Sequence, residues 1–467
     1  MEQFVEKIHI YHTNDLHSHF ESWPQISRYL LTQQAIHANA SETSFRFDIG
    51  DHVDRSHPFT EGTAGKGNVA LLNSAGYDAV TIGNNEGITL SKNALNTLYE
   101  GADFDVILCN LVETDGSIPK WMKLYKIYST VEGTRVGVIG ATAMYTDFYS
   151  KLGWHIHEPH AALKAVVEKI RHEVDILICL SHLGVNEDRL LAEMCPEIDV
   201  ILGAHTHHLF PDGELVHHSL LAATGKFGQY VGRVTLEVDT KSNRLLNKQA
   251  TVIPVGDLAS GKDDVREVNG LLNAGQIALD EKVFFIETPL KQQLFANSSL
   301  ATFFGQALLA YTHADCAMFN AGIFLRSLEQ GWVTKRHLHE LLPHPINVCV
   351  VTLRGEELLR VYHTAQNEQW PQLEIKGLGF RGTLMGNMIF EQLAMNGDGH
   401  LLVGSEIVQT DHIYRLATLD MFTFGYFFPM LKDVEKEYVM PELIRDIMAW
   451  YGKREMMESL GLLEENE

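Results

Sequence analysis

The sequence of 467 residues lacks features that would point to nucleic acid or a membrane as a partner. It has no clustered run of Lys and Arg, and its formal net charge is −23, which argues against coating nucleic acid through phosphate contacts. It also has no apolar stretch long enough to cross a bilayer, so no membrane partner is expected. An anionic substrate would therefore need another source of positive charge, such as bound metal cations.

Cysteine is scarce as well, with five residues that are odd in number and scattered along the chain. This usage does not suggest a disulfide framework. The N-terminal stretch MEQFVEKIHIYHTND has no basic region followed by an apolar segment and a small-residue cleavage site, so we expect no signal peptide. Together these observations predict a reduced, cytoplasmic protein, and the oligomeric state is left open.

The length of the chain suits two or three domains. From residue 7 to about 205, runs rich in Val, Ile and aromatic residues alternate with longer helical patterns, which predicts an α/β domain with strands buried on both faces. The segment 231–240 (VGRVTLEVDT) predicts an antiparallel strand at an exposed edge. A charged segment and a second α/β unit follow. We predict a first domain over 1–255, a linker helix over 256–290 and a second domain over 291–467.

Five of the predicted buried strands end in residues that can bind metals. Each case alone has an ordinary explanation, because Asp and Asn beside Gly commonly form turns. Together they indicate a site, since the carboxyl ends of strands in such sheets meet at one crevice. The two pairs spaced i, i+2 can each reach one cation. The residues are Asp15 and His17, Asp51, Asn84, His182, and His205 with His207.

This mixture of carboxylate, imidazole and amide ligands suits Mn, Fe, Zn or Co better than Mg or Ca. The two i, i+2 pairs favour two divalent ions over one. Two adjacent cations can bind phosphoryl oxygens and stabilise both the attacking and the leaving oxygen of a displacement. The sequence therefore favours a two-metal phosphoester hydrolase.

In this order the five strand ends resemble the D-x-H, G-D, G-N-H-E, later His and G-H-x-H blocks of the calcineurin-like metallophosphoesterases. The wider pattern, including HTNDLHSHF and GYDAVTIGN, is similar to the bacterial 5′-nucleotidase and UDP-sugar hydrolase family over nearly all of the chain. The resemblance implies an N-terminal four-layer α/β/β/α domain, joined by a helix to a C-terminal α/β substrate-binding domain. It also implies that a metal-bridging hydroxide attacks the phosphorus of a small nucleotide, as in nucleotide catabolism.

The resemblance also gives the metal ligands their roles. One ion would be held by Asp15, His17 and His207. The other would be held by Asn84, His182 and His205. Asp51 would bridge the two ions.

In the second domain the resemblance implies three substrate-binding residues. Asn320 matches the Asn of the family's N-G-G-G-I-R block, and Arg326 lies beside the position of its Arg, which is Leu325 here. Phe428 matches one of two aromatic residues that stack on the base, and Leu373 stands at the other position. Without the resemblance, the aromatic-rich segment around Phe428 would be typical of core packing.

The chain departs from the family at a catalytic dyad. The His of G-N-H-E is Asn85 here, and its Asp partner is Ile88. Losing a general acid costs about 10²- to 10⁴-fold in rate. A ribose alkoxide needs protonation more than a phosphate leaving group does, so we hypothesise a preference for diphosphate bonds, as in UDP-sugars or dinucleotides, over 5′-monophosphates. His52, next to Asp51, is a second catalytic candidate, with a surface or supporting histidine as the alternative.

Two other functions remain open from the sequence. A cyclic-nucleotide or other small phosphodiesterase would use the same metals. A nucleotide-binding or regulatory protein with weakened catalysis would also fit the missing dyad. Intact ligand residues in every block favour an active enzyme, because a binding module has little reason to keep two metal clusters.

Overall fold

The computed structural model of the protein describes residues 5–462, and the chain divides into two compact units after Gly275. The strands of the first unit are β1 (Val5–Thr13), β2 (Thr43–Asp48), β3 (Ala79–Val80), β4 (Asp105–Val106), β5 (Leu111–Glu113), β6 (Tyr125–Ser129), β7 (Arg135–Thr142), β8 (Trp154–Ile156), β9 (Ile176–His182), β10 (Val200–Gly203), β11 (Glu214–Val216), β12 (Ser219–Ala222), β13 (Tyr230–Asp239) and β14 (Arg244–Pro254). Its helices are α1 (Trp23–Asn39), α2 (Pro58–Gly62), α3 (Lys66–Ser74), α4 (Asn84–Thr89), α5 (Lys92–Leu98), α6 (Thr146–Lys151), α7 (Pro159–Ile170) and α8 (Val185–Met194).

The first unit contains two six-stranded sheets, in the orders β14-β13-β1-β2-β3-β4 and β11-β12-β10-β9-β7-β6. Neighbouring strands from β1 to β4 are parallel, and so are β7, β9, β10 and β12. Alternate side chains such as Ile8 and Ile10 of β1 pack in one core with Val136 and Ile178 of the other sheet. Helix α1 contacts β2, and α7 contacts β7. The predicted four-layer arrangement is confirmed.

Strand β13 differs from its sequence-based prediction as an exposed edge. It is antiparallel, as expected, but it pairs with β1 on one side and with β14 on the other. The edge strand on this side of the sheet is therefore β14, whose residues are mostly exposed or half-buried. A strand lies at an edge only if no other strand pairs with its second side. The sequence analysis missed the partner of β13 because β14 is polar in composition.

The second unit contains a five-stranded mixed sheet in the order β19-β16-β23-β18-β24, with helices packed against it and each other. Its strands are β15 (Lys282–Ile286), β16 (Cys316–Asn320), β17 (Gly331–Thr334), β18 (Asn347–Arg354), β19 (Met388–Glu391), β20 (Leu393–Met395), β21 (Leu401–Val403), β22 (Glu406–Ile407), β23 (Ile413–Leu419) and β24 (Lys436–Leu443). Helix α9 (Asp264–Ala278) crosses the division between the units, and α10 (Ser299–Thr312), α11 (Lys335–Leu341), α12 (Gly355–Ala365) and α13 (Ile444–Ser459) follow.

The segment 256–290, predicted as a linker helix, contains two elements. Helix α9 occupies its middle, and β15 near its end pairs with β17 of the second unit. The division after Gly275 thus falls inside α9. Within residues 5–462, none of the helices has both the length and the apolar character needed to cross a bilayer.

Candidate active site

Five chain segments that end or follow strands of the first unit meet at one edge of its sheets. The main-chain N–H of Asp15 donates to the carbonyl of Gly50 over 3.0 Å, and the N–H of His17 donates to the carbonyl of Asp51 over 2.8 Å. Because the carboxyl ends of parallel strands lie at the same edge, side chains from distant parts of the sequence come together. We call this place the crevice. Its residues are Asp15 and His17 after β1, Asp51 after β2, Asn84 after β3, His182 at the end of β9, and His205 and His207 after β10.

Five of these seven residues have a left-handed backbone conformation. This region is uncommon for residues other than glycine, although Asp and His enter it more readily than most. Such conformations persist where the surrounding structure enforces them, and they concentrate at functional sites. The bends turn the side chains of the loops towards one another. The φ angles are 49° at Asp15, 49° at His17, 52° at Asp51, 72° at His205 and 58° at His207.

The first group of ligand-type side chains in the crevice is formed by Asp15, His17 and His207. The Nε2 atoms of His17 and His207 are 3.3 Å apart, and Oδ1 of Asp15 lies 3.4 Å from Nε2 of His207. All three candidate ligand atoms lie within 4.8 Å of one another. Two imidazoles and one carboxylate at this spacing can hold a single cation.

The second group is formed by Asp15, Asp51 and His182, whose candidate ligand atoms also lie within 4.8 Å of one another. Oδ2 of Asp51 is 3.5 Å from Nε2 of His182. Nearby, Oδ1 of Asn84 is 2.9 Å from Nδ1 of His205. Gly83 leaves room for this group, because a Cβ atom there would lie 2.1 Å from Oδ1 of Asp51.

The surroundings of the buried imidazole of His182 show that these residues fit a metal ion. Its Nδ1 lies 2.7 Å from the carbonyl oxygen of Ile49, while its buried Nε2 faces Asp51 without a hydrogen-bond partner among the described residues. Burial lowers the pKa of His182, but the carboxylate of Asp51 outweighs burial and raises that pKa to about 10. The site therefore attracts positive charge, and its donor set suits a transition-metal ion.

Known proteins and family models match this chain over most of its length. The calcineurin-like phosphoesterase family model matches residues 8–209, and the model of the 5′-nucleotidase C-terminal domain matches residues 275–433. The metallophosphoesterase YunD of Bacillus subtilis is 41% identical over 459 residues, which cover 95% of this chain and 99% of YunD. The chain belongs to the 5′-nucleotidase-type metallophosphoesterases. It is therefore a metal-dependent phosphoester hydrolase.

Solved structures resemble the fold of this metallophosphoesterase over almost its whole length. A 5′-nucleotidase precursor from Thermus thermophilus is 19% identical, with a TM-score of 0.58, and the match covers 96% of this chain and 97% of that one. The NAD nucleotidase of Haemophilus influenzae is 14% identical, with a TM-score of 0.63, and the match covers 97% of each chain. At these identities the likeness concerns the fold.

Three further polar residues shape the crevice of the metallophosphoesterase, and the sequence analysis did not single them out. Oδ2 of Asp54 lies 3.4 Å from Nδ1 of His17, and the amide of Asn14 donates to Oδ2 of Asp15 over 2.7 Å. The buried carboxylate of Glu86 accepts hydrogen bonds from three main-chain N–H groups, those of Asp51 at 3.0 Å, Val53 at 2.8 Å and Gly83 at 2.8 Å. The resemblance to the G-N-H-E block could have indicated Glu86, since that residue stands at the position of the final Glu.

Asp54→Asn is expected to weaken metal binding by about 10- to 100-fold, the usual effect of removing a carboxylate that orients a ligating imidazole. The carboxylate contacts Nδ1 of His17, which leaves Nε2 free to face Asp15 and His207. Titration of the metal-free protein with Mn²⁺, followed by phosphate release, measures the change. An unaltered metal dependence would contradict this role for Asp54.

The side chain of Asn85 lies in the crevice and is bound to Asp51. Its main-chain N–H donates to Oδ1 of Asp51 over 2.7 Å, and its Nδ2 donates to Oδ2 over 2.8 Å. Nδ2 is also 3.5 Å from Nδ1 of His17. An amide does not ionise near neutral pH, so Asn85 can hold the carboxylate but cannot act as a general acid.

The contacts of His52 favour a supporting role over the predicted catalytic one. The side chain is 2% exposed, its Nδ1 is 3.1 Å from Nδ2 of Asn68, and its ring meets Trp23 edge-on at 5.0 Å. Burial lowers its pKa to about 3, so the imidazole is neutral. Its burial excludes the surface alternative, and its contact with Asn68 fits the supporting one.

His52→Ala is therefore expected to reduce stability and leave the turnover number of the folded protein unchanged. Loss of the ring leaves the buried amide of Asn68 without one partner and opens a cavity beside Trp23. An unsatisfied buried polar group costs about 1–3 kcal/mol in the free energy of unfolding. Denaturant unfolding and phosphate release measure the two quantities separately. A large fall in turnover with normal stability would restore the catalytic interpretation.

The three substrate-binding candidates of the second unit occupy different environments. Asn320 is fully buried, and its Nδ2 donates to the carbonyl of Met385 over 2.8 Å. Arg326 is exposed and forms an ion pair with Glu340. Phe428 is also fully buried, in edge-on contact with Trp370 at 5.1 Å and Phe422 at 5.4 Å. Burial and edge-on ring contacts of this kind are typical of core packing, so the stacking role of Phe428 stays a prediction.

Proposed function

We propose that this metallophosphoesterase hydrolyses phosphoester or diphosphate bonds of small nucleotides, using two divalent cations held in the crevice. The convergence of ligand atoms carries this proposal. Asp15, His17 and His207 form one group within 4.8 Å, and Asp15, Asp51 and His182 form another. The 5′-nucleotidase C-terminal domain matched over residues 275–433 supports a nucleotide as the substrate.

Each ion would have its own ligands. We assign Asp15, His17 and His207 to one ion and Asn84, His182 and His205 to the other, with Asp51 shared. Oδ2 of Asp51 lies 3.6 Å from Nε2 of His17 and 3.5 Å from Nε2 of His182, which supports the shared role. The ligand types favour Mn, Zn, Fe or Co. When bound, such ions polarise a water molecule and stabilise charge on phosphoryl oxygens.

Asn85 supports a preference among substrates. It donates two hydrogen bonds to Asp51 and offers no titratable proton to a leaving group. The loss of rate caused by the missing general acid is greater for a ribose alkoxide than for a phosphate, because the alkoxide is the more basic leaving group. We therefore propose that diphosphate bonds, as in UDP-sugars and dinucleotides, are cleaved faster than 5′-monophosphates.

The test is a phosphate-release screen of the full-length protein over AMP, UMP, UDP-glucose, a dinucleotide and a cyclic nucleotide, each with Mn, Zn, Co and Mg. Products of UDP-glucose, the dinucleotide and the cyclic nucleotide are treated with a phosphatase, because cleavage of each gives phosphomonoesters and no free phosphate. We expect the highest kcat/KM for a diphosphate with a transition metal. Fastest cleavage of AMP would overturn the preference, and fastest cleavage of the cyclic nucleotide would favour a phosphodiesterase. Metal binding without any turnover would favour the regulatory alternative.

A cytoplasmic location is part of the same proposal. The five cysteines are all buried and free. Unpaired thiols of this kind fit a reducing compartment.

A further inference from the structure

A second cluster of ligand-type side chains lies in the first unit away from the crevice residues. It consists of His9 on β1, His37 in the last turn of α1 and Glu42 just before β2. His9 is four residues before Thr13, the last residue of β1, which is about 13 Å along a strand. The cluster is therefore set back from the carboxyl ends of the strands, where the crevice lies.

The two histidine side chains of this cluster converge on one carboxylate oxygen of Glu42. Oε2 of Glu42 lies 2.8 Å from Nδ1 of His37 and 3.2 Å from Nε2 of His9. The candidate ligand atoms all lie within 4.8 Å of one another. The two imidazoles are buried, whereas the side chain of Glu42 is 36% exposed, which leaves water access to the cluster.

Nε2 of His9 points into this cluster without a satisfactory partner. It is buried, and although Glu42 is close, the direction of approach does not form a hydrogen bond. A buried polar atom without a partner is unusual and calls for a missing partner such as an ion. The observation is independent of the spacing of the three residues.

Nε2 of His37, the ring nitrogen that faces away from Glu42, has a hydrogen-bond partner. Metal-ligating histidines commonly have such a partner on the nitrogen that does not bind the metal. Nε2 of His37 lies 2.9 Å from the hydroxyl of Tyr11, which itself donates to Oε1 of Gln33 over 3.0 Å. Since the hydroxyl proton is directed to Gln33, the Tyr11 oxygen can accept from Nε2–H of His37. Nδ1 of His37 forms a hydrogen bond with Oε2 of Glu42 over 2.8 Å, so an ion would displace the proton of Nδ1 while the Tyr11 oxygen holds Nε2–H in place.

We propose that His9, His37 and Glu42 form a third metal site, which takes a Zn²⁺-type cation with solvent completing its coordination. Two imidazoles and a carboxylate with an open position are a common zinc ligand set, and they disfavour Mg²⁺ and Ca²⁺. By linking β1, the end of α1 and the start of β2, the ion would stabilise the fold without contacting the substrate.

Two features make this site weaker than the crevice. The rings of His9 and His37 are stacked with centroids 3.9 Å apart and 16° between planes, so one ring must tilt before both lone pairs meet one ion. Nη2 of Arg233 also lies 3.4 Å from Nδ1 of His9, where it repels a cation and must move away once that nitrogen carries the proton of a ligating imidazole. Chelator should therefore remove this ion before the ions that support phosphoester hydrolysis.

The test measures the zinc content of full-length protein after chelation, zinc loading and equilibrium dialysis. Glu42→Gln and His9→Gln should each lower bound zinc by one equivalent and leave phosphoesterase activity unchanged. Glu158→Gln is the matched control, because Glu158 pairs with a single histidine, Nδ1 of His160, at 2.9 Å. It should retain the full zinc content.

Asp51→Asn provides a second background, in which crevice binding is impaired and one equivalent sensitive to Glu42→Gln should remain. Circular dichroism confirms that each variant is folded, and if His9→Gln fails to fold, the half-exposed Glu42 gives the decisive variant. Unchanged zinc content in Glu42→Gln would overturn the proposal. So would a joint loss of zinc and activity, since that result would connect Glu42 to the crevice. Absence of nucleotide hydrolysis in the wild type would leave the zinc count unaffected.

Discussion

Asp51→Asn is expected to lower phosphoester hydrolysis by at least about 10³-fold, the scale on which a fixed charge contributes to an active site. The substitution keeps the shape of the side chain but removes the charge that faces both His17 and His182. Both carboxylate oxygens also accept hydrogen bonds from Asn85. In either orientation of the new amide, its NH₂ group meets a donor, so no rotamer restores the arrangement.

Metal content and turnover are measured together for this variant. We expect fewer bound metal ions and hydrolysis near the level of the metal-free protein. Asp175→Asn is the control, because Asp175 lies just before β9, at the opposite end from the crevice, and pairs with Arg135. It should behave as the wild type. Normal metal content and turnover in Asp51→Asn would refute the shared-ligand assignment.

The double variant Asn85→His, Ile88→Asp is expected to raise kcat/KM for AMP by about 10²-fold, the lower end of what a general acid contributes. Asn85 already reaches the crevice, with Nδ2 2.8 Å from Asp51, and Ile88 lies one helical turn further along α4. The new imidazole could protonate a ribose leaving group and be oriented by the new carboxylate. Cleavage of UDP-glucose should change much less.

Two single variants separate this explanation from others. Ile88→Asp alone adds charge without an acid and should give no gain with AMP. Asn85→Ala opens space and releases Asp51 without adding an acid, so it should lower hydrolysis of both substrates. If the ratio of AMP to UDP-glucose cleavage stays the same in the double variant, Asn85 does not determine the preference.

The sequence revealed the crevice residues because each one follows a strand within a short recognisable block. The sequence could not reveal the direction in which each side chain points. Asp51 and His52 are adjacent, yet Asp51 faces His182 and His52 packs against Asn68 and Trp23. A position that matches a known motif fixes where the main chain lies, whereas neighbours from other elements decide which side chain reaches the site.

Phe428 illustrates the same limit in the second unit. Its match to a stacking residue came from the order of residues, but its ring is fully buried and meets Trp370 and Phe422 edge-on. The left-handed conformations of the ligand loops were also invisible, because Asp and His carry no local signal as strong as that of glycine. The division inside α9 depends on contacts between distant segments, which no local pattern records.

The three hydrogen bonds accepted by Glu86 bear on how the enzyme acquires its ions. They tie the loop after β2 to the loop after β3 through groups of the chain itself. The loops consequently keep their shape in the apoprotein, and loading does not have to drive folding as it does in small zinc domains. We therefore expect that one metal can replace another without unfolding of these loops.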